Sequence, residues 1–225
     1  MYSRIFQPQN FRFGINPFHE NRKTPGVPLF FQEDFMKLLI LSCNTGGGHN
    51  AAAHALAKEA EKHGHDVTVL DMMLLSGEHT SRLIGGLYLQ IVTKIPAFFG
   101  FIYRLGLLIS NRYVKSPVYF ANARLAGKLQ NYIEGNHFDA VLTTHLYPAE
   151  TITWLKHHNR FSVPSVAVCT DYTCIPFWEE TDCDFYILPH EDLTGEFVSR
   201  GIPRKKLLPF GIPVDENFCI PKDPA

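Results

Sequence analysis

Between His79 and Ile133 the chain has no aspartate or glutamate, although acidic residues are common elsewhere. Seven basic residues occupy the same stretch: Arg82, Lys94, Arg104, Arg112, Lys115, Arg124 and Lys128. The net charge of -1 therefore averages a basic segment against an acidic remainder. Long hydrophobic runs are also missing, and without 18 or more consecutive uncharged apolar residues no segment reads as a membrane-spanning helix. The five cysteines (Cys43, Cys169, Cys174, Cys183, Cys219) are odd in number and include no C-x-x-C pair, which argues against a disulfide framework and a zinc cluster. The first residues, MYSRIFQPQNFRF, lack the apolar core of a signal peptide. Together these absences point to a reducing, cytoplasmic setting. Two nucleotide motifs are missing as well. G-x-G-x-x-G fails because Ala51 and Ala52 follow the glycines, and no Gly-Lys-Ser/Thr completes a Walker A loop.

With 225 residues, 45% of them hydrophobic and 19% charged, the chain is long enough for one globular domain, which at this size buries roughly 70% of its unfolded surface. Residues 1–35 carry Pro8, Pro17, Pro25 and Pro28 and show neither helical nor strand periodicity, so they read as a poorly structured extension. Periodic pattern starts at Met36, which reads as the natural start of the protein. From there apolar runs alternate with helical patterns. Strands are expected over 37–43, 66–72, 139–145, 165–171 and 185–190, and helices over 50–63, 118–134, 148–158 and 191–200. Gly64, Gly135 and Gly201 read as helix stops. This alternation predicts an α/β domain over 36–215, with a mostly parallel sheet covered by helices on both faces. Ligands of such sheets bind beyond the carboxyl ends of the strands, where Asn44 to His49, His145, Asp171 and His190 fall. Residues 216–225 are proline-rich and resemble the start of an interdomain linker.

Residues 44–49, NTGGGH, join the first strand to an alanine-rich helix. A glycine turn at a helix start leaves bare backbone N–H groups at the positive end of the helix dipole, suited to a polar or anionic ligand. The same glycines would equally serve close strand-to-helix packing. His49 follows directly. A helix dipole disfavours a second positive charge at its amino end, so the imidazole is expected to be neutral and able to take a proton from a hydroxyl. A local cap is the competing role. His54 lies off the face of His49 and reads as a packing or surface residue.

Aromatic and aliphatic side chains interleave with the charges of the acid-free stretch, and its centre, IVTKIPAFFGFIYRLGLLI, is broken by Pro96 and Gly100. This composition suits an element lying at a lipid interface, with lysine and arginine meeting anionic headgroups at about 1 kcal/mol each. The aliphatic content favours lipid over nucleic acid. Part of the stretch is also expected to be ordinary helix core.

Five segments, NTGGGHNAAAHAL (44–56), YLQIVTKIPAFFGFIY (88–103), DAVLTTHLYPAE (139–150), VAVCTDYTCIPFWEE (166–180) and GIPRKKLLPFGIPV (201–214), occur here in order. With them the chain resembles the amino-terminal domain of the monogalactosyldiacylglycerol synthases and processive diacylglycerol glucosyltransferases. The resemblance implies a glycosyltransferase of GT-B architecture, in which two Rossmann-like domains face across a cleft. This chain would be the acceptor half, and the UDP-sugar domain would lie outside these 225 residues, leaving the chain inactive alone. It implies His49 as the base that deprotonates the acceptor hydroxyl. Asn44, Thr45, Gly46, Gly47, Gly48, His145, Thr170 and Asp171 would line the cleft. Lys94, Pro96, Phe98, Phe99, Phe101, Tyr103 and Arg104 would contact diacylglycerol and anionic phospholipid. No metal or other cofactor is implied, the UDP-sugar being a co-substrate. Where the family carries Thr-Asp-x-x-x-His, this chain has Thr170, Asp171 and then Ile175.

The reading that results is transfer of glucose or galactose from a UDP-sugar to diacylglycerol. It places the protein in the cytoplasm, peripherally associated with the inner face of the cell membrane. Transfer to a polyprenyl-linked acceptor and a non-catalytic lipid-surface module are the alternatives. A dinucleotide dehydrogenase fits least, although Asp71 stands about 20 residues past the turn, the spacing of a ribose-binding acid.

Overall fold

Alternation along the first strand decides how the sheet is covered. In β1 (Lys37–Ser42) the side chains of Leu39 and Leu41 point to one face and Ile40 to the other, and all three are buried. A strand buried on both faces belongs in the middle of a parallel sheet. The computed structural model describes residues 35–43, 47–78 and 115–218, with Gly86, Lys94 and Arg104 as separate helical positions. Among the described residues β1 is flanked by β2 (Asp66–Asp71) on one side and β3 (Ala140–Thr143) on the other. The sheet continues through β4 (Ser165–Val168), β5 (Phe185–Ile187) and β6 (Leu207–Leu208). All pairs are parallel and the order is β2-β1-β3-β4-β5-β6. The chain thus leaves β1 in one direction to build β2 and returns to the other side to build β3, which makes the β1/β3 boundary a topological switch point.

Helix α1 (Gly47–Lys62) covers the face of Ile40. Its Ala53 and Ala57 sit against Ile40, with Val67, Val69 and Leu142 around them, and small side chains let the helix axis lie close to the strands. The opposite face carries α3 (Ala126–Asn136) and α4 (Leu146–His157), whose Leu129, Ile133, Ile152 and Leu155 pack on Leu39, Leu41 and Val141. Each such fully buried aliphatic side chain contributes about 1.5–3 kcal/mol. A second cluster around Trp178, Tyr186 and Phe197 closes the β4–β6 end, where α5 (Thr194–Ser199) lies.

Several boundaries differ from the sequence reading. Helix α1 starts at Gly47 rather than residue 50, so two glycines and His49 form its first turn. The strands read as ending at 145, 171 and 190 stop at Thr143, Val168 and Ile187, and β2 stops at Asp71, whose carboxylate caps the following turn by accepting from the Met73 amide at 2.9 Å. The single helix expected over 118–134 is two, α2 (Pro117–Ala123) and α3. The break has a visible cause. The Asn122 carbonyl accepts from Leu125 N, at 3.1 Å, and from the Thr151 hydroxyl of α4, at 3.1 Å, in a tight turn that does not continue α2. Gly135 stops nothing. Helix α3 runs past it to Asn136 and ends on His137, which takes the left-handed conformation at φ 56°. Gly64 does end α1, at φ 85°. The extension 1–34 and the tail 219–225 lie outside the described residues.

Candidate active site

Because β1, β3 and β4 are neighbours in the sheet, the segments that follow them stand side by side at its carboxyl edge. The Thr144 amide bonds the Leu41 carbonyl at 3.0 Å, which brings the end of β3 against the end of β1. The Cys169 amide bonds the Ile187 carbonyl at 2.9 Å, which holds the end of β4 in the sheet just before Thr170. At the start of α1 the Ser42 hydroxyl donates to the Asn50 side-chain oxygen, tying the last residue of β1 to the first turn of the helix.

His49 therefore arrives from one strand end and finds partners from the two others. Its Nδ1 lies 2.9 Å from the Thr144 carbonyl oxygen and 2.7 Å from the Thr170 hydroxyl. The His145 ring meets it edge-on, with centroids 4.6 Å apart and planes at 75°. His145 in turn caps α4, its Nδ1 accepting from the Tyr147 amide at 3.2 Å, so the proton of its neutral ring is on Nε2. Burial, with the neighbouring His49 second, pulls its pKa down to about 3. His145 consequently adds no positive charge beside His49 near neutral pH. His49 itself is only part-buried, as is Thr170, and His145 is 8% exposed.

Gly47 and Gly48 are not required by packing. A Cβ built on Gly47 or Gly48 would meet nothing within 4 Å, and both residues are exposed. The close-packing reading of these two positions is thus overturned, and what remains is exposed backbone at the first turn of α1. Asn44, Thr45 and Gly46 lie outside the described residues. Asp171 is part-buried next to Thr170 but makes neither of the bonds that hold His49. Ile175 packs against the Trp178 and Phe197 cluster and puts no polar group into this region. His190 caps a separate turn, accepting from the Asp192 amide at 3.3 Å, and His54 is exposed. With Asp71 engaged as a cap, the acid available to the dehydrogenase reading has a structural role.

Sequence reasoning found His49, His145 and Thr170 but not Thr144, whose contribution is a backbone carbonyl. No residue pattern signals such a group; only the β1–β3 pairing does. In the acid-free stretch, Lys94 and Arg104 are helical and exposed, whereas Pro96, Phe98, Phe99, Phe101 and Tyr103 lie outside the described residues. Its end is partly structural. Lys115 donates to the Glu180 carbonyl at 2.5 Å and sits 5.2 Å from the Tyr119 ring centre, and Tyr119 is buried. No helix among the described residues is long and apolar enough to cross a membrane.

Fold and site together define a Rossmann-like α/β domain with a histidine held at the switch point of its parallel sheet. The family model for monogalactosyldiacylglycerol (MGDG) synthase matches residues 49–214, and the chain belongs to that family. An uncharacterized glycosyltransferase of Bacillus subtilis, YkoN, is 26% identical over 80% of this chain and 47% of its own length. A processive diacylglycerol beta-glucosyltransferase of Bacillus cytotoxicus is 26% identical over 81% of this chain and 46% of its own. A probable chloroplastic monogalactosyldiacylglycerol synthase 2 of Oryza sativa subsp. indica is 26% identical over 81% of this chain and 39% of its own. The chain spans about half the length of the bacterial relatives and less of the rice one.

Proposed function

We propose that this chain is the acceptor-binding domain of a glycosyltransferase that moves glucose or galactose from a UDP-sugar to diacylglycerol, with His49 as general base. The observation that carries this reading is the placement of His49. A part-buried imidazole stands at the switch point of a parallel sheet, beside exposed glycine backbone and beside a histidine that burial keeps neutral. The names of the relatives support the substrate class.

In this reading the diacylglycerol hydroxyl gives its proton to His49 as its oxygen bonds to the anomeric carbon of the sugar. The bond from that carbon to the phosphate oxygen breaks, its electron pair leaves with UDP, and a single displacement inverts the anomeric centre. The UDP-sugar is held by a second Rossmann-like domain facing this one in the GT-B manner, and the chemistry asks for no metal. The basic aromatic segment, including exposed Lys94 and Arg104, rests on anionic phospholipid at the cytoplasmic face.

Expressed from its whole gene, the protein should transfer hexose to diacylglycerol in anionic vesicles. His49→Ala should reduce that rate at least about 100-fold, the usual contribution of a general base, and leave vesicle flotation unchanged. Near-normal turnover in His49→Ala rejects the base. Transfer only to a polyprenyl-linked acceptor rejects diacylglycerol, and flotation without any transfer leaves a non-catalytic lipid-binding module.

A further inference from the structure

Two oxygens meet one nitrogen of His49. The Thr144 oxygen is a carbonyl and brings no proton, so its 2.9 Å contact is a hydrogen bond only when the imidazole proton is on Nδ1. With the proton on Nε2, two lone pairs would face each other at that distance. The Thr170 hydroxyl, at 2.7 Å, can play either part and follows the carbonyl, accepting a share of the same N–H. Both contacts come from strand ends fixed by sheet pairing, and they reach the ring from β3 and β4 while the ring itself is carried by α1.

We propose that the Thr144 carbonyl and the Thr170 hydroxyl form an orienting pair that holds His49 with its proton on Nδ1, leaving the Nε2 lone pair as the proton-accepting atom. The pair does here what a carboxylate does behind the histidine of a Ser-His-Asp site: it fixes tautomer and ring direction, and it receives a stronger bond once the ring becomes an imidazolium. Thr170 is thus a positioning residue, acting on the acceptor hydroxyl only through His49. The proposal rests on the base reading of His49, but its geometric half can be tested without turnover.

Nitrogen-15 NMR of the histidine side chains in the 225-residue chain separates the two tautomers. A proton-free Nε2 couples to both carbon-bound ring protons, whereas a proton-free Nδ1 couples strongly to Hε1 alone. The signal that disappears in His49→Gln assigns the residue. The expected pattern is that of a proton-free Nε2, and a proton-free Nδ1 overturns the proposal. For Thr170, glycosyl transfer by the whole-gene protein supplies the second readout. Thr170→Val should lower kcat at least about 10-fold, short of the roughly 10⁴-fold loss of a Ser-His-Asp site whose orienting carboxylate is replaced because the Thr144 carbonyl remains, with KM within about twofold. Thr170→Ser, which restores the hydroxyl, should recover most of the rate. Equal losses in Val and Ser, or none in Val, refute the role of the hydroxyl. Near-wild-type transfer by His49→Ala would instead remove the base itself, a failure that the tautomer pattern does not share.

Discussion

The first two turns of α4 carry two buried titratable groups that are neutral near pH 7 for opposite reasons. At the amino end burial pushes the His145 imidazole down to about 3. One turn further in, burial pushes the Glu150 carboxyl up to about 8, with Glu180 raising it further and Asn122 and Lys115 opposing. Their surroundings differ. His145 is held by near neighbours in the chain: its ring nitrogen accepts from the Tyr147 amide, its own amide donates to the Thr143 hydroxyl, and that hydroxyl donates to its carbonyl. Glu150 is fully buried and has Asn122 on one oxygen, while its other oxygen and one oxygen of the equally buried Glu180 lack a hydrogen-bond partner among the described residues. The contrast separates two uses of burial. At the sheet edge it keeps a charge away from His49 within a fixed geometry, and between α2 and α4 it suppresses ionisation in a cluster that is electrostatically costly.

Titration should pull these regions apart. A carboxyl whose folded pKa is raised is destabilising once the unfolded chain can ionise and the folded one cannot. The Glu150 contribution is thus intact below its ordinary value of 4.5 and declines as pH rises to about 8, at about 1.4 kcal/mol per pH unit. Glu150→Gln removes that decline. The largest effect expected is a gain of a few kcal/mol in urea unfolding at pH 8 with little change near pH 4.5. A variant equally affected at both pH values would show that Glu150 is ionised in the fold.

His145 has the opposite sign. Its folded pKa is depressed, so stability is lost as pH falls from its ordinary 6.5 towards 3. The slope is again about 1.4 kcal/mol per unit at most. Between 4.5 and 6.5 the two slopes oppose each other, which gives the wild type a plateau there. His145→Asn keeps an efficient helix cap and should flatten the acid limb alone, at a packing cost near neutral pH of about 1 kcal/mol. Unfolding curves that keep their acid limb in this variant would assign the limb to other groups.

How much of this was legible in the sequence follows from what each feature depends on. Strand and helix alternation is a local pattern, and it led to the parallel sheet and to the strand ends that carry His49, His145 and Thr170. Local pattern also left a choice open. GGG before a helix suits a bound ligand and a packing contact equally, until the space above Gly47 and Gly48 is seen to be empty. Helix boundaries failed where a tertiary bond decided them, as when Thr151 takes the Asn122 carbonyl, and where His137 adopts a conformation that glycine usually supplies. The Glu150–Glu180 cluster was not legible at all. No local pattern sets Glu150 or Glu180 apart from other glutamates, and it is the packing of α2 against α4 that buries the first of them.

Thr144 offers the smallest effect and the sharpest separation of backbone from side chain. Its carbonyl holds His49, but its hydroxyl is buried and lacks a hydrogen-bond partner among the described residues. An unsatisfied buried hydroxyl costs free energy that an isosteric methyl does not. Thr144→Val should therefore be neutral or stabilising by up to about 1 kcal/mol, read as an unchanged or slightly raised unfolding midpoint. The variant should also keep the Nδ1–H signature of His49, because the carbonyl survives the substitution. Clear destabilisation would mean that the hydroxyl has a partner, such as a bound water. A lost tautomer signature would mean that His49 is held through the Thr144 side chain, and the distinction between the two threonines would fail: Thr144 would then act as Thr170 does, through an oxygen that mutation can remove.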